Sequence, residues 1–253
     1  VETDATDPND LTVVRSMELA YANNFAVDYC ANGCKIITDG AGQKFLWVPE
    51  GGSVPQDVEG MTVLQAPLTK IGCFSTTHAT LFRAIGALDK VSLVTTDKDK
   101  WYIDQIAQQI EDGTTTYVGK NSAPDYELIS AAAPQVILIS ANTMHGSDEV
   151  LAKLDELGIP YIADSQHLEN HPLGRVEWVK LVGALLDMDE PVCRLIGGGL
   201  NMAGEPNGYY ITISQGTDPL ARPTSPDVTT WGCNPESQGL WLNFDPKLTQ
   251  ELL

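Results

Sequence analysis

The sequence predicts an α/β protein in which a Rossmann-like lobe with a parallel sheet carries an attached β-meander. Between residues 61 and 164, short apolar runs alternate with segments of helical periodicity, which is the pattern of strand-helix units. Ahead of them the segments FAVDY, CKIIT and KFLWV follow one another, with turn signals at Asn32-Gly33 and across residues 39–42. Short strands separated by such turns predict a meander of antiparallel strands.

The strand-helix units follow one another closely. MTVLQAPL precedes TTHATLFRAIGAL, SLVTT precedes WYIDQIAQQIEDG, DYELISAAA precedes QVILIS, and DEVLAKLDELG precedes PYIAD. The last of these helices has clear end signals, because Ser147 suits the N-cap while Gly158 and Pro160 prevent its continuation. QVILIS has almost no polar alternation, which is typical of a strand that helices cover on both faces of a parallel sheet.

The composition argues for a globular chain and against one class of partner. The 253 residues are 43% apolar, which is enough for a large core. They include 34 acidic and 15 basic side chains, for a formal net charge of -19. A surface that follows nucleic-acid phosphates needs clustered Lys and Arg, so we expect no nucleic-acid partner. The charge serves either solubility or attraction of a cationic ligand or basic partner.

The first residues predict a linker. VETDATDPND is acidic and polar, unlike the basic and then apolar start of a signal sequence. Residues 1–19 are therefore either an acidic tether between an anchor and the folded body or a frayed terminus. The chain contains no run of about 18 apolar residues, so no membrane-spanning helix is predicted.

A long helix is predicted after the last strand. In HPLGRVEWVKLVGALL, Pro172 suits the first helical position, and a helix from there to Asp187 would be about 24 Å long. Its apolar side chains form two faces, whereas Glu177, Lys180 and Asp187 share one narrow polar stripe. Such a helix either packs within one lobe or runs as a strut between two lobes.

The five cysteines do not make a dense disulfide framework. Cys30 and Cys34 flank the first turn of the meander, so their thiols are expected to face each other, with a strained local disulfide as one outcome. No further Cys or His lies nearby in sequence, so zinc is not expected at this turn. Cys73 and His78 could pair as nucleophile and base, but the chain has no GxSxG elbow, P-loop or paired-carboxylate motif, and no enzymatic activity is expected.

Candidate ligand-binding residues lie in the loops after the predicted strands, because doubly wound sheets bind ligands outside the carboxyl ends of their strands. These loops are residues 73–78, 96–101, 141–145 and 165–171. Trp101 and Tyr102 offer aromatic rings that stack on a planar or macrocyclic ligand, although Trp101 also suits packing beneath the loop. Met144 and His145 can coordinate a soft or borderline metal centre, or His145 is a hydrogen-bonded structural residue.

One of these loops and the first turn of the helix predicted from Pro172 supply polar candidates. Ser75, Thr76 and His78 lie in a run whose hydroxyls either bind oxygen atoms of a chelate or cap the following helix. Arg175 reaches either an anionic ligand or a neighbouring acid such as Glu177. The segment HLENH lacks the HExxH arrangement and precedes a proline, so it is interpreted as a loop rim; the alternative is a bare metal-ion site formed by His145, His167 and His171.

An ordered series of segments carries a resemblance to one family. In chain order they are FAVDYCANGCKIITDGAGQKFLWVPEG, VLQAPLTKIGCFSTTHATLFRAIGALDKV, WYIDQIAQQIEDG, GKNSAPDYELISAAAPQVILIS, LDELGIPYIAD and ENHPLGRVEWVKLVGALL. Over residues 20–190 the chain resembles the periplasmic-binding-protein-like substrate-binding lipoproteins of ABC importers, in the iron-siderophore, haem and cobalamin class. The resemblance implies two α/β lobes joined by one long rigid helix, with a ligand in the cleft between them.

The resemblance also implies a domain organisation and partners. Residues 1–19 would be the linker, 20–171 the amino-terminal lobe, 172–190 the inter-lobe helix and 191–253 a partial or divergent second lobe that lacks the expected α/β repeat. Such proteins are secreted, anchored by a lipid on a cysteine upstream of the linker, and deliver their ligand to a membrane permease. In relatives an acidic residue before the strand matching QVILIS pairs with permease arginines, and Glu127 occupies that position.

Two functions from different classes are therefore expected. In the first, the protein is the extracellular or periplasmic solute-binding component of an ABC importer, which captures a siderophore, haem or cobalamin-like metal chelate and delivers it to a permease. In the second, it is a protein-interaction or scaffold subunit that keeps the lobe but not the ligand cleft. No enzymatic activity, resident cofactor or dedicated metal site is expected, and the membrane is contacted only through a lipid anchor.

Overall fold

The structure, a computed structural model, describes residues 7–56, 58–140 and 147–189, together with three strands between residues 212 and 244. The chain divides into two units, Val1–Met188 and Asp189–Leu253. The first unit contains a mostly antiparallel sheet and a parallel sheet with helices, so the predicted α/β class is confirmed.

The meander forms the first sheet. Its strands, adjacent in this order, are β1 (Val13–Ser16), β2 (Ala26–Cys30), β3 (Lys35–Thr38), β4 (Lys44–Val48) and β5 (Met61–Gln65). Strands β1 to β4 pair antiparallel, whereas β5 lies parallel to β4. The three predicted meander strands are confirmed as β2, β3 and β4. β1 corrects the expectation that residues 1–19 are a linker throughout, because residues 13–16 pair with β2.

The strand-helix units form the second sheet. Its strands, all parallel, are β6 (Ile71–Cys73), β7 (Val91–Val94), β8 (Thr116–Tyr117), β11 (Val136–Ser140) and β12 (Tyr161–Asp164), while β9 (Gly119–Lys120) and β10 (Ala123–Pro124) form a separate short hairpin. The helices are α1 (Thr76–Ala84), α2 (Asp104–Glu111), α3 (Tyr126–Ala132) and α4 (Ser147–Glu156). Short 3-10 helices cover Leu88–Lys90, Lys98–Lys100 and Gln166–Leu168. The four predicted helices of this region are confirmed.

The central strand of this sheet is β6, which the sequence did not predict. MTVLQAPL, expected as the first strand of the lobe, contains β5 of the first sheet, and the run IGC ahead of α1 is too short for a periodicity signal. The spatial order is β12-β11-β6-β7-β8, so the chain moves outward on one side of β6 and then crosses to β11 on the other. The carboxyl ends of β6 and β11 therefore form the topological switch point, where doubly wound sheets bind ligands.

The core around β6 leaves no space for a side chain at Gly72. A Cβ there would lie 2.8 Å from Leu93 Cδ1 and 2.9 Å from Ile137 Cγ1, so only glycine fits. The buried cluster to which these two residues belong also contains Phe74, Val118, Ile129, Ile139, Val150, Leu154 and Tyr161. This packing fixes the position of β6 and of the loop that follows it.

The turn between β3 and β4 joins the two sheets. Gly40 N–H donates to Ala163 O at 3.0 Å, and Ala163 N–H donates to Asp39 Oδ2 at 2.8 Å. A side chain on Gly40 would lie 2.8 Å from Ala163 O, which leaves room for glycine alone. Burial raises the pKa of Asp39, although amide hydrogen bonds, first among them that from Ala163, oppose the increase. The turn thus covers the sheet edge that β12 would otherwise leave open.

Five successive backbone amides ahead of β2 are bound by two buried carboxylates. The amides of residues 20–22 donate to Glu177 at 2.8 to 2.9 Å, and those of residues 23 and 24 donate to Glu169 at 3.0 to 3.1 Å. Both glutamates are 3% exposed, and Lys180 Nζ lies 2.7 Å from Glu177 Oε1. These contacts hold the start of the meander against the end of the parallel-sheet lobe.

The predicted long helix is two helices. α5 covers Pro172–Glu177 and α6 covers Val179–Leu185, so the expectation of one continuous helix from residue 172 to 187 is wrong. The break lies where neighbouring side chains bind groups outside the helix: Glu177 binds the amides of residues 20–22, and Trp178 Nε1 donates to Glu169 Oε1 at 3.0 Å. Glu177 is therefore buried instead of lying on an exposed polar stripe.

The first unit supplies cover for α6. Lys35 Nζ donates to Ala184 O at 2.9 Å, Trp47 Nε1 donates to Leu185 O at 2.9 Å, and the helix also contacts α1. Residues 181–185 are all buried. These contacts match the alternative in which the helix packs within one lobe, and the inter-lobe role of residues 172–190 stays a prediction.

The second unit contains one antiparallel sheet in its described part. Its strands are β13 (Thr212–Gln215), β14 (Thr229–Gly232) and β15 (Leu240–Phe244), in the spatial order β13-β15-β14. The interpretation of residues 191–253 as a partial or divergent lobe stays a prediction. Across the described parts of both units, no helix has the length and apolar character needed to cross a membrane.

We expect Glu177→Gln to lower the free energy of unfolding by about 1.5 to 3 kcal/mol, because it removes the charge that four donors bind. Glu156→Gln is the matched control, since its carboxylate forms an exposed ion pair with Lys153 and such pairs contribute at most about 1 kcal/mol. Urea denaturation measures both variants. Equal small losses would show that Glu177 is not an anchor of the fold.

The loss of unfolding free energy in Glu177→Gln should also depend on pH. Burial raises the pKa of the Glu177 carboxyl, but the hydrogen bonds from Lys180 and from the amides of residues 20–22 outweigh it and leave the pKa below its ordinary value. A carboxyl of this kind stabilises the fold above its unfolded-state pKa, and the contribution is lost as the pH falls through the folded-state pKa. The difference between wild type and Glu177→Gln should therefore be largest near neutral pH and shrink in acid.

Candidate functional site

A pocket lined by residues with polar side chains lies at the switch point of the parallel sheet. It has a volume of about 280 Å³ and is lined, among the described residues, by Thr77, Ser140, Gln166, His167 and Arg175. Thr77 is in the first turn of α1, shortly after β6, and Ser140 is the last residue of β11. Gln166 and His167 follow β12. Loops after three parallel strands therefore meet at one site.

A buried polar network centred on His78 lies next to the pocket. His78 Nε2 is 3.2 Å from Asp164 Oδ2 and 3.2 Å from Ser140 Oγ. The carboxylate of Asp164, the last residue of β12, also accepts from the Gln166 backbone N–H at 2.7 Å and from Gln166 Nε2 at 2.6 Å. His78 and Asp164 are at most 1% exposed. The network ties the first turn of α1 to the carboxyl ends of β11 and β12.

Sequence reasoning missed Ser140, Asp164 and Gln166. The apolar strands in QVILIS and PYIAD each end in a polar residue, and this signal at the carboxyl end of a parallel strand could have identified Ser140 and Asp164. Gln166 has no comparable signal, because its role depends on the position of the Asp164 carboxylate.

The hydroxyl run ahead of His78 has mixed roles. Thr77 N–H donates to Ser75 Oγ at 3.3 Å, so Ser75 caps α1, as one of the two alternatives predicted. Thr76 is exposed. His78 has no exposed surface, so a ligand in the pocket would reach Ser140 but not the imidazole. Ligand contacts of Ser75 and Thr76 stay predictions.

Trp101 and Tyr102 lie in opposite environments. Trp101 is 9% exposed and its Nε1 donates to Thr96 O at 3.0 Å, so packing beneath the loop accounts for this side chain. Tyr102 is 98% exposed and is accessible to a ligand. Neither is among the described residues that line the pocket.

Arg175 supplies a positive charge to the pocket. It is exposed, and its Nη2 donates to His167 O at 3.2 Å. Glu177, the alternative partner considered from the sequence, is buried and pairs with Lys180 at 2.7 Å instead. Because a guanidinium carries five N–H groups, Arg175 retains donors for a ligand.

The segment HLENH combines pocket and structural contacts. His167 is half-buried and lines the pocket. Glu169 is buried against the amides of residues 23 and 24, so its interpretation as a loop-rim residue is wrong. His171 caps α5 by accepting from Leu173 N–H at 3.1 Å, and its ring stacks on Tyr21 with centroids 4.5 Å apart.

The remaining metal-ligand and thiol candidates have no assigned chemistry. Met144 and His145 lie outside the described residues. Within the described ranges, no group of three or more His, Cys, Asp or Glu side chains is placed to hold a metal ion. Cys30, Cys34 and Cys73 are buried and free. Burial, and next the charge of Asp164, raises the pKa of Cys73, so its thiol stays protonated and is a poor nucleophile.

The chain is similar to a lipoprotein and to periplasmic solute-binding proteins. Over 167 residues it is 34% identical to the uncharacterized lipoprotein MJ0878 of Methanocaldococcus jannaschii, a match that covers 61% of this chain and 39% of that protein. The chain thus spans about two fifths of the length of this relative. No family model matches the chain.

Two solved structures are similar to part of the chain. A periplasmic solute-binding protein of Veillonella parvula has a TM-score of 0.46 and 19% identity, over 65% of this chain and 44% of that one. The petrobactin-binding protein YclQ of Bacillus subtilis has a TM-score of 0.42 and 17% identity, over 63% of this chain and 46% of that one. Both are binding proteins by name.

The two aromatic residues should respond differently to truncation. We expect Trp101→Ala to lower the free energy of unfolding by about 3 to 5 kcal/mol, because it leaves a cavity in place of a buried ring. Tyr102→Ala should change it by less than about 0.5 kcal/mol, because the Tyr102 ring lies in solvent. Urea unfolding followed by circular dichroism measures both. Comparable losses would contradict the packing role of Trp101.

Proposed function

We propose that the protein is the solute-binding component of an ABC importer and that it holds a metal chelate in the pocket at the switch point. The observation that carries this proposal is a pocket lined by polar side chains from the first turn of α1, the end of β11 and the segment after β12, beside a buried hydrogen-bond network. Doubly wound sheets bind their ligands at this position. The sequence similarity to a lipoprotein supports the proposal.

The chemistry of the pocket favours a ligand with an oxygen-rich exterior. The Ser140 hydroxyl and the Arg175 guanidinium line it, together with the Thr77 hydroxyl and the Gln166 amide, which also bond to Ser75 and Asp164 respectively. Groups of this kind bind oxygen acceptors. A siderophore, haem or cobalamin-like chelate already surrounds its metal with ligand atoms, so the protein needs to supply only outer contacts of this type. Capture for an importer takes place outside the membrane, where a lipid anchor would hold the protein.

Delivery to a permease requires a docking surface, for which Glu127 is the candidate. Glu127 is exposed in the first turn of α3, and it forms no ion pair with the residues that the structure describes. Asp125 caps this helix, so the Glu127 carboxylate is not needed for capping. Leu128 beside it is 42% exposed. An available carboxylate next to an exposed leucine suits an arginine on a partner surface.

Thermal melting of the full chain tests chelate binding. A ligand that binds only the folded protein raises Tm with increasing concentration, as mass action requires. We expect at least one of a set of ferric siderophores, haem and cobalamin to raise Tm. If every member leaves Tm unchanged at saturating concentration, the chelate proposal is wrong.

Arg175→Ala should weaken binding of the active chelate about tenfold or more, because a hydrogen bond to a charged group contributes about 1.5 to 3 kcal/mol. Arg83→Ala is the matched control: it removes the same charge from the last turn of α1, the helix whose first turn lines the pocket. Its affinity should equal that of wild type. Equal weakening in both variants would assign the effect to net charge.

Glu127→Ala should leave the chelate-induced rise in Tm unchanged and reduce the stimulation of ATP hydrolysis by the reconstituted importer. Glu149→Ala, which removes an exposed acid from the first turn of α4, should retain full stimulation. Loss of chelate binding in Glu127→Ala, or equal loss of stimulation in both variants, would contradict the docking role.

A further inference from the structure

The network beside the pocket determines which nitrogen of His78 carries the proton. Asp164 accepts two hydrogen bonds from Gln166, and its Oδ2 also lies 3.2 Å from His78 Nε2. Because both oxygens of this carboxyl group already accept from Gln166, the group also acts as an acceptor toward His78, and Nε2 is the nitrogen that carries the proton. Nδ1 is buried and has no hydrogen-bond partner among the described residues. A buried acceptor without a partner is less costly than a buried N–H without one, which favours the same tautomer.

This tautomer determines the direction of the Ser140 hydroxyl. Ser140 Oγ lies 3.2 Å from the same Nε2 atom, so it can accept from that N–H but cannot donate to it. Ser140 lines the pocket, and its hydroxyl has no other hydrogen-bond partner in the described part of the chain. The hydroxyl proton is therefore available to an acceptor inside the pocket.

We infer that His78 and Asp164 are positioning residues that make Ser140 a fixed hydrogen-bond donor, and that the pocket selects a ligand bearing an anionic oxygen group held between Ser140 and Arg175. This inference rests on the proposed use of the pocket for binding and adds the chemical class that it recognises, a carboxylate, phosphate or similar oxyanion. The guanidinium supplies the charge and further donors. Thr77 Oγ1, by contrast, is engaged with Ser75 Oγ at 2.8 Å.

Nitrogen-15 NMR of the histidine rings in the full chain tests the tautomer directly. We expect the His78 ring to carry a proton on Nε2, with the signal assigned by its disappearance in His78→Gln. A ring protonated at Nδ1 alone would overturn the inference. The tautomer is read from the wild-type protein, and His78→Gln serves only to assign the signal.

Calorimetric titration with citrate and inorganic phosphate tests the ligand class, with glycerol as the uncharged probe. We expect at least one of the two anions to bind and glycerol not to bind. Ser140→Ala should weaken anion binding about tenfold or more, because it removes a hydrogen bond to a charged group. Ser130→Ala, at an exposed serine on α3, is the matched control and should bind as wild type does. Absence of anion binding, or equal binding of glycerol, would overturn the oxyanion class.

Asp164→Asn separates positioning from a structural role. Its amide can donate to Nε2, which favours the other tautomer and turns the Ser140 proton toward His78. We expect Asp164→Asn to lose as much anion affinity as Ser140→Ala does. The double variant Ser140→Ala/Asp164→Asn should lose no more than either single variant, because the Ser140 hydroxyl is no longer available as a donor in any of them. His78→Gln, whose amide nitrogen can replace Nε2, should stay within about threefold of wild type. Additive losses in the double variant would overturn the positioning role.

The outcomes also separate this inference from the proposed function. Anion binding with a protonated Nε2, but without binding of any chelate, would leave the inference standing and remove the chelate proposal. Chelate binding with a His78 ring protonated only at Nδ1 would support the chelate proposal and overturn the inference about Ser140.

Discussion

The contact between the amides of residues 20–24 and the carboxylates of Glu169 and Glu177 constrains the rest of the first unit. These amides are partly or fully shielded from water and need acceptors, and no strand among the described residues accepts from them. The two carboxylates bind all five amides, and Lys180 neutralises part of their charge. The same contact joins the start of the meander to the end of the parallel-sheet lobe. Arg175 lies between the two glutamates in the chain, so this contact also holds one side of the pocket in place.

The pocket follows from the strand order of the parallel sheet. Because the chain crosses from one side of β6 to the other, the loops after β6 and β11 diverge and leave a crevice. His78 comes from the first turn of α1 and Ser140 and Asp164 from the ends of β11 and β12, and the three meet in one hydrogen-bonded network. The direction of the donors is therefore set before a ligand arrives, which reduces the cost of ordering side chains on binding. The strand order of the parallel sheet therefore accounts both for the crevice and for the polar network beside it.

Elements with strong local signals were predictable, and elements that depend on distant partners were not. Strands β2, β3 and β4 and helices α1 to α4 have clear periodicity and turn residues. β1 lies in an acidic segment and is a strand because it pairs with β2, while β6 has only three residues. The helix break at Trp178 depends on bonds from Glu177 and Trp178 to other segments. In the site, the strand-end rule identified the loops, but the burial of Trp101 and His78 depends on packing.

Local sequence was therefore enough for the α/β class, the meander, the helices of the parallel-sheet lobe and the sheet edge at which the candidate loops lie. Periodicity, caps and turn residues act over a few positions, so they can be recognised without a structure. Only packing placed β5 in the meander sheet, made Glu169 and Glu177 buried anchors, and brought the network beside the pocket together. His78 and Ser140 are 62 positions apart, and Tyr21 and Glu177 are 156 positions apart. No local pattern specifies such contacts, because each depends on where the whole sheet places the two chain segments.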